Sequence, residues 1–258
     1  MNIKIVLLLL FLPLTSSVFA SDLQREKRLA NEIVDSILDG EPVYLQAGKH
    51  KFLSIYMESE SKNPKGTVIL LHGRGYHPNW KDVIHPLRIG LPDSGWHTLS
   101  IQMPVLTKDA KYYDYVPLFK ESFPRIESAI KFIKSKNINN IILIAHSCGA
   151  HMGMAWLDKT RGKDINAYIG IGMGATDLKQ YMAKPFSLDK LKIPILDIYA
   201  KNDYRAVIKM APERLSMIKS TGIMKSKQVV IPDANHYFTD RDEALLNTIS
   251  SWLNTLNN

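Results

Sequence analysis

The segment from residue 141 to residue 149 constrains the fold more than any other part of the chain. Residues 141–144 form an apolar run that predicts a buried strand, and the letters Ala-His-Ser-Cys-Gly follow it directly. A strand that turns sharply into a helix at such a serine is a nucleophile elbow, in which a strained backbone lifts the hydroxyl above the sheet. Strand and helix nearly touch there, so the residues two before and two after the serine must be small. Ala145 and Gly149 meet this requirement, which makes Ser147 the candidate nucleophile.

Short apolar runs alternate with amphipathic stretches along the rest of the chain. The runs predict strands at residues 67–71, 98–102, 141–144, 167–171, 195–199 and 228–231. The spacing of apolar residues predicts helices at residues 22–38, 80–89, 119–136, 150–158, 205–220 and 240–256, and an antiparallel hairpin at residues 44–56. Fully apolar strands between helices are typical of an α/β fold with a mostly parallel sheet covered on both faces. In such sheets reactive groups collect at the carboxyl ends of the strands.

A serine nucleophile needs a base and a group that orients the base. The candidate base is His236, in the loop after the last predicted strand, and the candidate acid is Asp203, just past the strand that ends near residue 199. Asp177 and Asp233 are the alternative acids. The order Ser147, Asp203, His236 is the chain order of α/β-hydrolase triads.

A glycine-rich turn follows the first strong strand, at residues 72–75. A backbone N–H in such a turn can stabilise a developing oxyanion, and we expect Arg74 to supply it, with Gly73 as the alternative. The second donor is expected to be the backbone N–H of Cys148, which follows the nucleophile. We predict no catalytic role for the Cys148 thiol, since Ser147 holds the exposed position of the elbow.

Residues 72–75, 145–149, 202–203 and 235–236 together resemble the α/β-hydrolase superfamily, and they span most of the chain. The Ala-His-Ser-x-Gly form resembles that of small secreted bacterial lipases and esterases. Residues 70–103 are similar to an uncharacterised bacterial domain family of exported proteins within that superfamily. The resemblance implies the fold and a Ser-His-Asp triad, but it names no substrate. The sequence departs from the usual pattern at Ala145, where a glycine is more common.

The first twenty residues predict a secretory signal peptide. Lys4 precedes an apolar stretch, and small or β-branched residues end the segment at Val18-Phe19-Ala20. The apolar stretch is too short for a membrane span, although an uncleaved anchor is the alternative. We therefore expect a single domain over residues 21–258, located in the periplasm or secreted.

Composition limits the partners of this chain. Its formal net charge is +8, but the basic residues are scattered and are not interleaved with aromatic residues, which argues against nucleic-acid binding. The charge predicts at most weak association with an anionic envelope surface. His72 and His77 lack a carboxylate or thiolate ligand nearby in sequence, so we expect neither a metal nor a cofactor. The single cysteine excludes an intramolecular disulfide.

The sequence thus predicts an exported serine hydrolase that cleaves an ester or related acyl bond in a small-molecule or lipid-like substrate. The alternatives are a non-catalytic binding protein on the same fold and a peptidase or amidase with the same triad. The stretch between residues 171 and 195 contains Met173, Tyr181, Met182 and Phe186 and predicts a small apolar cap rather than a lid domain.

Overall fold

A single mixed sheet forms the centre of the part of the chain that the computed structural model describes, residues 20–256. Its strands are β1 (Glu41–Ala47), β2 (His50–Met57), β3 (Gly66–Leu71), β4 (Trp96–Ile101), β5 (Ile141–His146), β6 (Ala167–Ile171), β7 (Ile195–Asn202) and β8 (Lys227–Asn235). They lie in the order β1-β2-β4-β3-β5-β6-β7-β8. Strand β2 is antiparallel to both of its neighbours, β1 and β4, and all adjacent pairs from β4 to β8 in this order are parallel.

Helices cover both faces of this sheet. They are α1 (Leu23–Val34), α2 (Ile84–Gly90), α3 (Tyr112–Tyr115), α4 (Phe123–Ser135), α5 (Cys148–Thr160), α6 (Arg205–Ser220) and α7 (Asp242–Leu256). Alternate strand residues feed two separate cores: Ile69 and Leu71 pack on the side of α4 and α5, whereas Val68 and Leu70 pack on the side of α2 and α7. The predicted fold class, a mostly parallel sheet between helical layers, is therefore confirmed.

The strand register brings three chain segments together at one edge of the sheet. Leu71 pairs with Ala145, His146 pairs with Ile171, and Ile171 pairs with Ile198. The residues that follow β3, β5 and β6 consequently emerge side by side, which is where a parallel sheet places its functional groups.

Several helix boundaries differ from the sequence predictions. The helix predicted from residue 119 starts as a 3-10 turn over Val116–Ser122, and α4 begins only at Phe123. Pro124 lacks an N–H and fits the first turn of a helix but not its interior, so the α-helix has to begin there. The predicted helix at residues 80–89 begins at Ile84, after a turn in which Trp80 stacks on Tyr76.

The segment between β6 and β7, residues 172–194, is called the cap segment below. It contains only a 3-10 turn, Leu188–Lys190, and no separate lid domain. Met173 and Phe186 are buried, as expected of an apolar cap, whereas Tyr181 faces solvent.

The predicted signal peptide, residues 1–20, lies outside the described residues except for Ala20. Among the helices of residues 20–256, none has the length and apolar character needed to cross a bilayer.

Candidate active site

The backbone turns sharply at Ser147, between β5 and α5. Ser147 has φ 54° and ψ −119°, a conformation that non-glycine residues rarely adopt. A Cβ on Gly149 would come within 2.4 Å of the carbonyl oxygen of His72, so only glycine fits at this position. Ala145 is fully buried at the end of β5. The segment has the geometry of a nucleophile elbow, with Ser147 at its apex.

The side chains of Ser147, His236 and Asp203 form a continuous chain of hydrogen bonds. His236 Nε2 lies 2.8 Å from Ser147 Oγ, and His236 Nδ1 lies 2.6 Å from Asp203 Oδ1. A carboxylate can only accept, so Nδ1 carries the proton and Nε2 is free to accept the serine hydroxyl. The structure thus brings together the three residues that the sequence singled out.

The Asp203 carboxylate is fixed by backbone donors as well as by the histidine. Asp203 Oδ1 accepts the N–H of Tyr204 at 2.7 Å, and Oδ2 accepts the N–H of Ala200 at 3.2 Å. The alternative acids lie elsewhere: Asp177 binds Arg74, and Asp233 is exposed in β8. Of the three candidate carboxylates, only Asp203 contacts the histidine.

Gly172, the first residue after β6, permits the histidine to occupy its position. A Cβ on Gly172 would lie 2.8 Å from His236 Cε1 and 3.0 Å from its Nδ1, and the glycine has φ +59°. Sequence reasoning missed this residue. The sequence signal that marks it is the Gly-x-Gly pattern, Gly172 to Gly174, directly after an apolar strand.

Two tyrosines and a second histidine surround His236. The Tyr204 ring stacks on the imidazole with centroids 4.1 Å apart, and the Tyr204 hydroxyl lies 2.9 Å from that of Tyr237. His146 Nε2 donates to the carbonyl oxygen of His236 at 3.0 Å. Burial lowers the pKa of His146 to about 3, so this histidine is neutral and acts as a fixed donor beneath the loop that carries His236.

The glycine loop, residues 72–75, lies against the elbow. A Cβ on Gly73 would be 3.4 Å from the Cβ of Ser147. His72 holds this loop from below: its Nδ1–H donates to the carbonyl oxygen of Gly73 at 2.7 Å, and its Nε2 accepts the N–H of Met103 at 2.9 Å. Burial lowers the pKa of His72 to about 3, so it serves as a neutral structural bridge.

Arg74 extends from the glycine loop to the cap segment. Its Nη1 and Nη2 donate to the two carboxylate oxygens of Asp177 at 2.5 and 3.1 Å. The Tyr112 N–H also donates to Asp177 Oδ2 at 2.6 Å. Partial burial alone would raise the pKa of Asp177, but the hydrogen bonds from Arg74 and Tyr112 outweigh it and lower the pKa.

Two backbone donors beside Ser147 have no partner among residues 20–256. In the described part of the chain, the backbone N–H groups of Arg74 and Cys148, the two expected oxyanion donors, donate to no protein acceptor.

A buried ion pair secures the segments that carry Asp203 and Gly172. Arg214 of α6 donates to Asp197 of β7 at 2.7 Å, and both side chains are buried. Arg214 also donates to the carbonyl oxygen of Met173 at 2.9 Å. Helix α6 is therefore fastened both to the strand that precedes Asp203 and to the start of the cap segment.

The Cys148 thiol is buried beside the nucleophile. Burial raises its pKa to about 12, so it stays protonated at neutral pH and is a poor nucleophile. Within residues 20–256, no group of three or more histidine, cysteine, aspartate or glutamate side chains is arranged to hold a metal ion.

Solved structures of α/β-hydrolases share this architecture. The chain is similar to Est1E from Butyrivibrio proteoclasticus, with 15% identity and a TM-score of 0.66 over 83% of this chain and 98% of that one. It is also similar to a lidless α/β serine hydrolase from Xanthomonas campestris, with 14% identity and a TM-score of 0.63 over 84% and 95% of the two chains. Dienelactone hydrolase from Anabaena variabilis matches with 18% identity and a TM-score of 0.61 over 82% and 94%. At these identities the likeness shows the fold.

Comparison of the sequence with protein families identifies a family more specific than the fold. No curated protein matches the chain. A family model does match over residues 14–114 and 118–255, which is most of the sequence. The protein has the α/β-hydrolase fold and belongs to the family described as "Protein of unknown function (DUF3530)".

Proposed function

We propose that this protein is an exported serine hydrolase that cleaves an ester or related acyl bond. The observation that carries the proposal is the chain of hydrogen bonds from Ser147 through His236 to Asp203, set on a strained elbow. A binding protein has no need to hold a serine in this strained conformation within 2.8 Å of a correctly oriented imidazole.

The geometry supports acyl transfer in two stages. Ser147 Oγ attacks the substrate carbonyl carbon while its proton passes to His236 Nε2, and Asp203 stabilises the imidazolium that forms. The oxyanion that forms accepts hydrogen bonds from the backbone N–H groups of Arg74 and Cys148. Collapse of the intermediate transfers the Nε2 proton to the leaving oxygen. Water then repeats the sequence on the acyl-enzyme and releases the acid.

Labelling with a fluorophosphonate tests the nucleophile. The probe should modify the mature protein, and Ser147→Ala should abolish labelling. Cys148→Ala is the matched control, because it removes the adjacent thiol but keeps the backbone N–H, so its labelling should persist. A folded wild-type protein that takes up no label would favour the binding-protein alternative.

Hydrolysis of a graded series of acyl esters, beside the matching amides, tests the bond type. Esters of at least one chain length should be cleaved in a Ser147-dependent manner, faster than the amides. Preferential cleavage of amides would instead identify a peptidase or amidase.

Export is part of the proposal. It is supported by the pattern of residues 1–20 and by the position of Ser21, which is buried and whose N–H donates to Glu121 Oε2 at 3.1 Å. Cleavage after Ala20 would convert that N–H into an ammonium facing a carboxylate.

A further inference from the structure

An exposed apolar patch lies on the cap segment beside the candidate active site. Leu178 is 89% exposed, Tyr181 is 80% exposed, and Tyr113 of α3 is 47% exposed. Single exposed apolar residues are ordinary, but a group of large ones on adjoining segments indicates an interaction surface. These three residues are called the cap patch.

Hydrogen bonds hold the cap patch together. The Tyr181 N–H donates to the Tyr113 hydroxyl at 3.0 Å, and the Tyr113 N–H donates to Gln180 Oε1 at 3.1 Å. The Ala183 N–H donates to the Tyr112 hydroxyl at 2.9 Å. The apolar side chains thus project from an anchored loop.

Basic side chains outnumber free acidic ones on the chain segments that carry the cap patch. Lys179 and Lys184 lie on the cap segment, Lys111 immediately precedes α3, and all three are exposed. Three acidic residues lie on the same elements: Asp177 is neutralised by its ion pair with Arg74, whereas Asp114 and Asp189 are exposed. The cap segment carries two further exposed lysines, Lys190 and Lys192. The local balance is positive, and exposed apolar groups flanked by lysines are the combination that suits a negatively charged lipid surface.

The cap patch is also next to the reaction centre. Leu178 follows Asp177, whose carboxylate binds Arg74 of the glycine loop, and a Cβ built on Gly73 of that loop would lie 3.4 Å from Ser147 Cβ. A lipid surface in contact with Leu178 and Tyr181 would therefore face the same edge of the sheet as the candidate nucleophile.

We propose that the cap patch docks the protein onto an anionic lipid bilayer. Leu178, Tyr181 and Tyr113 insert among the lipids, and Lys111, Lys179 and Lys184 contact the anionic headgroups. This inference deepens the proposed function, since the substrates it favours are acyl esters embedded in, or adsorbed to, that surface.

Co-sedimentation of the mature protein with lipid vesicles tests the docking. Binding is expected to vesicles in which about a quarter of the lipid is phosphatidylglycerol, much less to pure phosphatidylcholine, and it should weaken as salt screens the lysines. The double substitution Leu178→Ser, Tyr181→Ser should weaken binding about tenfold or more, because both apolar anchors are lost. Lys179→Gln with Lys184→Gln should weaken binding to anionic vesicles only.

Met224 provides the matched control. It is 99% exposed, precedes Lys225, and lies just before the amino end of β8, whereas Leu178 and Tyr181 follow the carboxyl end of β6. Met224→Ser should leave vesicle binding unchanged. An equal loss in Met224→Ser, equal binding to neutral vesicles, or no binding at all would overturn the proposal.

Two measurements separate this inference from the proposed function. Ser147→Ala should bind vesicles like the wild type, so docking is tested even if the protein hydrolyses no ester. Leu178→Ser, Tyr181→Ser should keep wild-type hydrolysis of a water-soluble ester but lose rate on a vesicle-embedded one. A matching loss on the soluble ester would instead place these residues in the reaction itself.

Discussion

Arg74 and Asp177 join the glycine loop to the cap segment through two hydrogen bonds between a guanidinium and a carboxylate. The same carboxylate accepts the backbone N–H of Tyr112, so three chain segments meet at one side chain. Paired, forked contacts of this kind fix orientation as well as distance. The backbone of Arg74 is consequently held next to Ser147 by a residue about a hundred positions away in the sequence.

Asp177→Asn tests this positioning role. Loss of the charge loosens Arg74, so kcat should fall about tenfold, with a smaller effect on KM. This fall is smaller than the one expected from removing an oxyanion donor outright, because the Arg74 N–H is displaced rather than lost. The control is Asp164→Asn, which removes the exposed pair with Lys134 and should leave both constants unchanged. An unchanged kcat in Asp177→Asn would show that the ion pair does not position the donor.

The proposed triad predicts losses that do not multiply. Ser147→Ala and His236→Ala should each remove nearly all turnover, and the double variant should be little worse, because the two side chains act as a unit. Asp203→Asn should fold normally and lose roughly 10³–10⁴-fold in kcat by stabilising the wrong tautomer of His236. Near-normal turnover in Asp203→Asn would argue against Asp203 as the acid that orients His236, and multiplicative losses in the double variant would argue against the triad.

Gly172→Ala should displace His236. The added methyl would overlap the imidazole at 2.8 Å and the backbone is at φ +59°, so we expect about 1–3 kcal/mol of lost stability together with a marked fall in kcat. Gly222→Ala separates the two causes, because Gly222 has a similar φ of +69° but nothing within 4 Å of the added Cβ. It should cost stability alone, as measured by urea unfolding, and leave kcat intact. Equal kcat values in the two variants would refute the clash.

The buried neutral histidines predict that the free energy of unfolding decreases as the pH is lowered below about 6.5. Burial lowers the pKa of His72 and His146 to about 3 and that of His151 to about 4. The unfolded chain binds protons at these positions below about pH 6.5, whereas the folded chain does not until about pH 3–4. Their stabilising contribution is complete above pH 6.5 and is lost as the pH falls, by about 1.4 kcal/mol per pH unit for each histidine.

His151→Gln isolates one of these histidines. His151 donates to the carbonyl oxygen of Ala175, and a glutamine amide can replace that donor. Urea unfolding between pH 5 and pH 7 should show a slope reduced by about one proton relative to the wild type. The same slope in both proteins would mean that His151 titrates normally in the folded state.

The mature amino terminus should contribute to stability. A protein that begins at Ser21 places its ammonium beside Glu121, and a form with one additional N-terminal residue should be less stable by about 0.5–1 kcal/mol. Glu121→Gln should remove that difference, and so should a pH above about 8, where an α-amino group loses its charge. Mass spectrometry of the exported protein should give Ser21 as its first residue, and retention of Met1 would contradict cleavage.

The parts of the fold that sequence predicted are those governed by local pattern. Residues 141–145 of β5 and all of β6 are apolar because both faces of these strands are buried, and the elbow demands small residues at fixed offsets from Ser147. The stacking of Tyr204 on His236 and the pairing of Arg74 with Asp177 depend on where distant loops meet, and no periodicity encodes that. Gly172 lies between these two cases. The Gly-x-Gly pattern predicts an unusual backbone conformation there, but it does not predict that the imidazole of His236 occupies the space beside it.

The burial of the Cys148 thiol bears on the proposed export of the protein into an oxidising compartment. Thiolates, rather than protonated thiols, undergo disulfide exchange and oxidation, and this sulfur is both protonated and 5% exposed. If the protein is exported as proposed, this sulfur should resist mixed disulfides and covalent dimers, although it is adjacent to the proposed nucleophile Ser147. In the proposed mechanism Cys148 thus contributes its backbone N–H to the oxyanion, while burial keeps its side chain protonated.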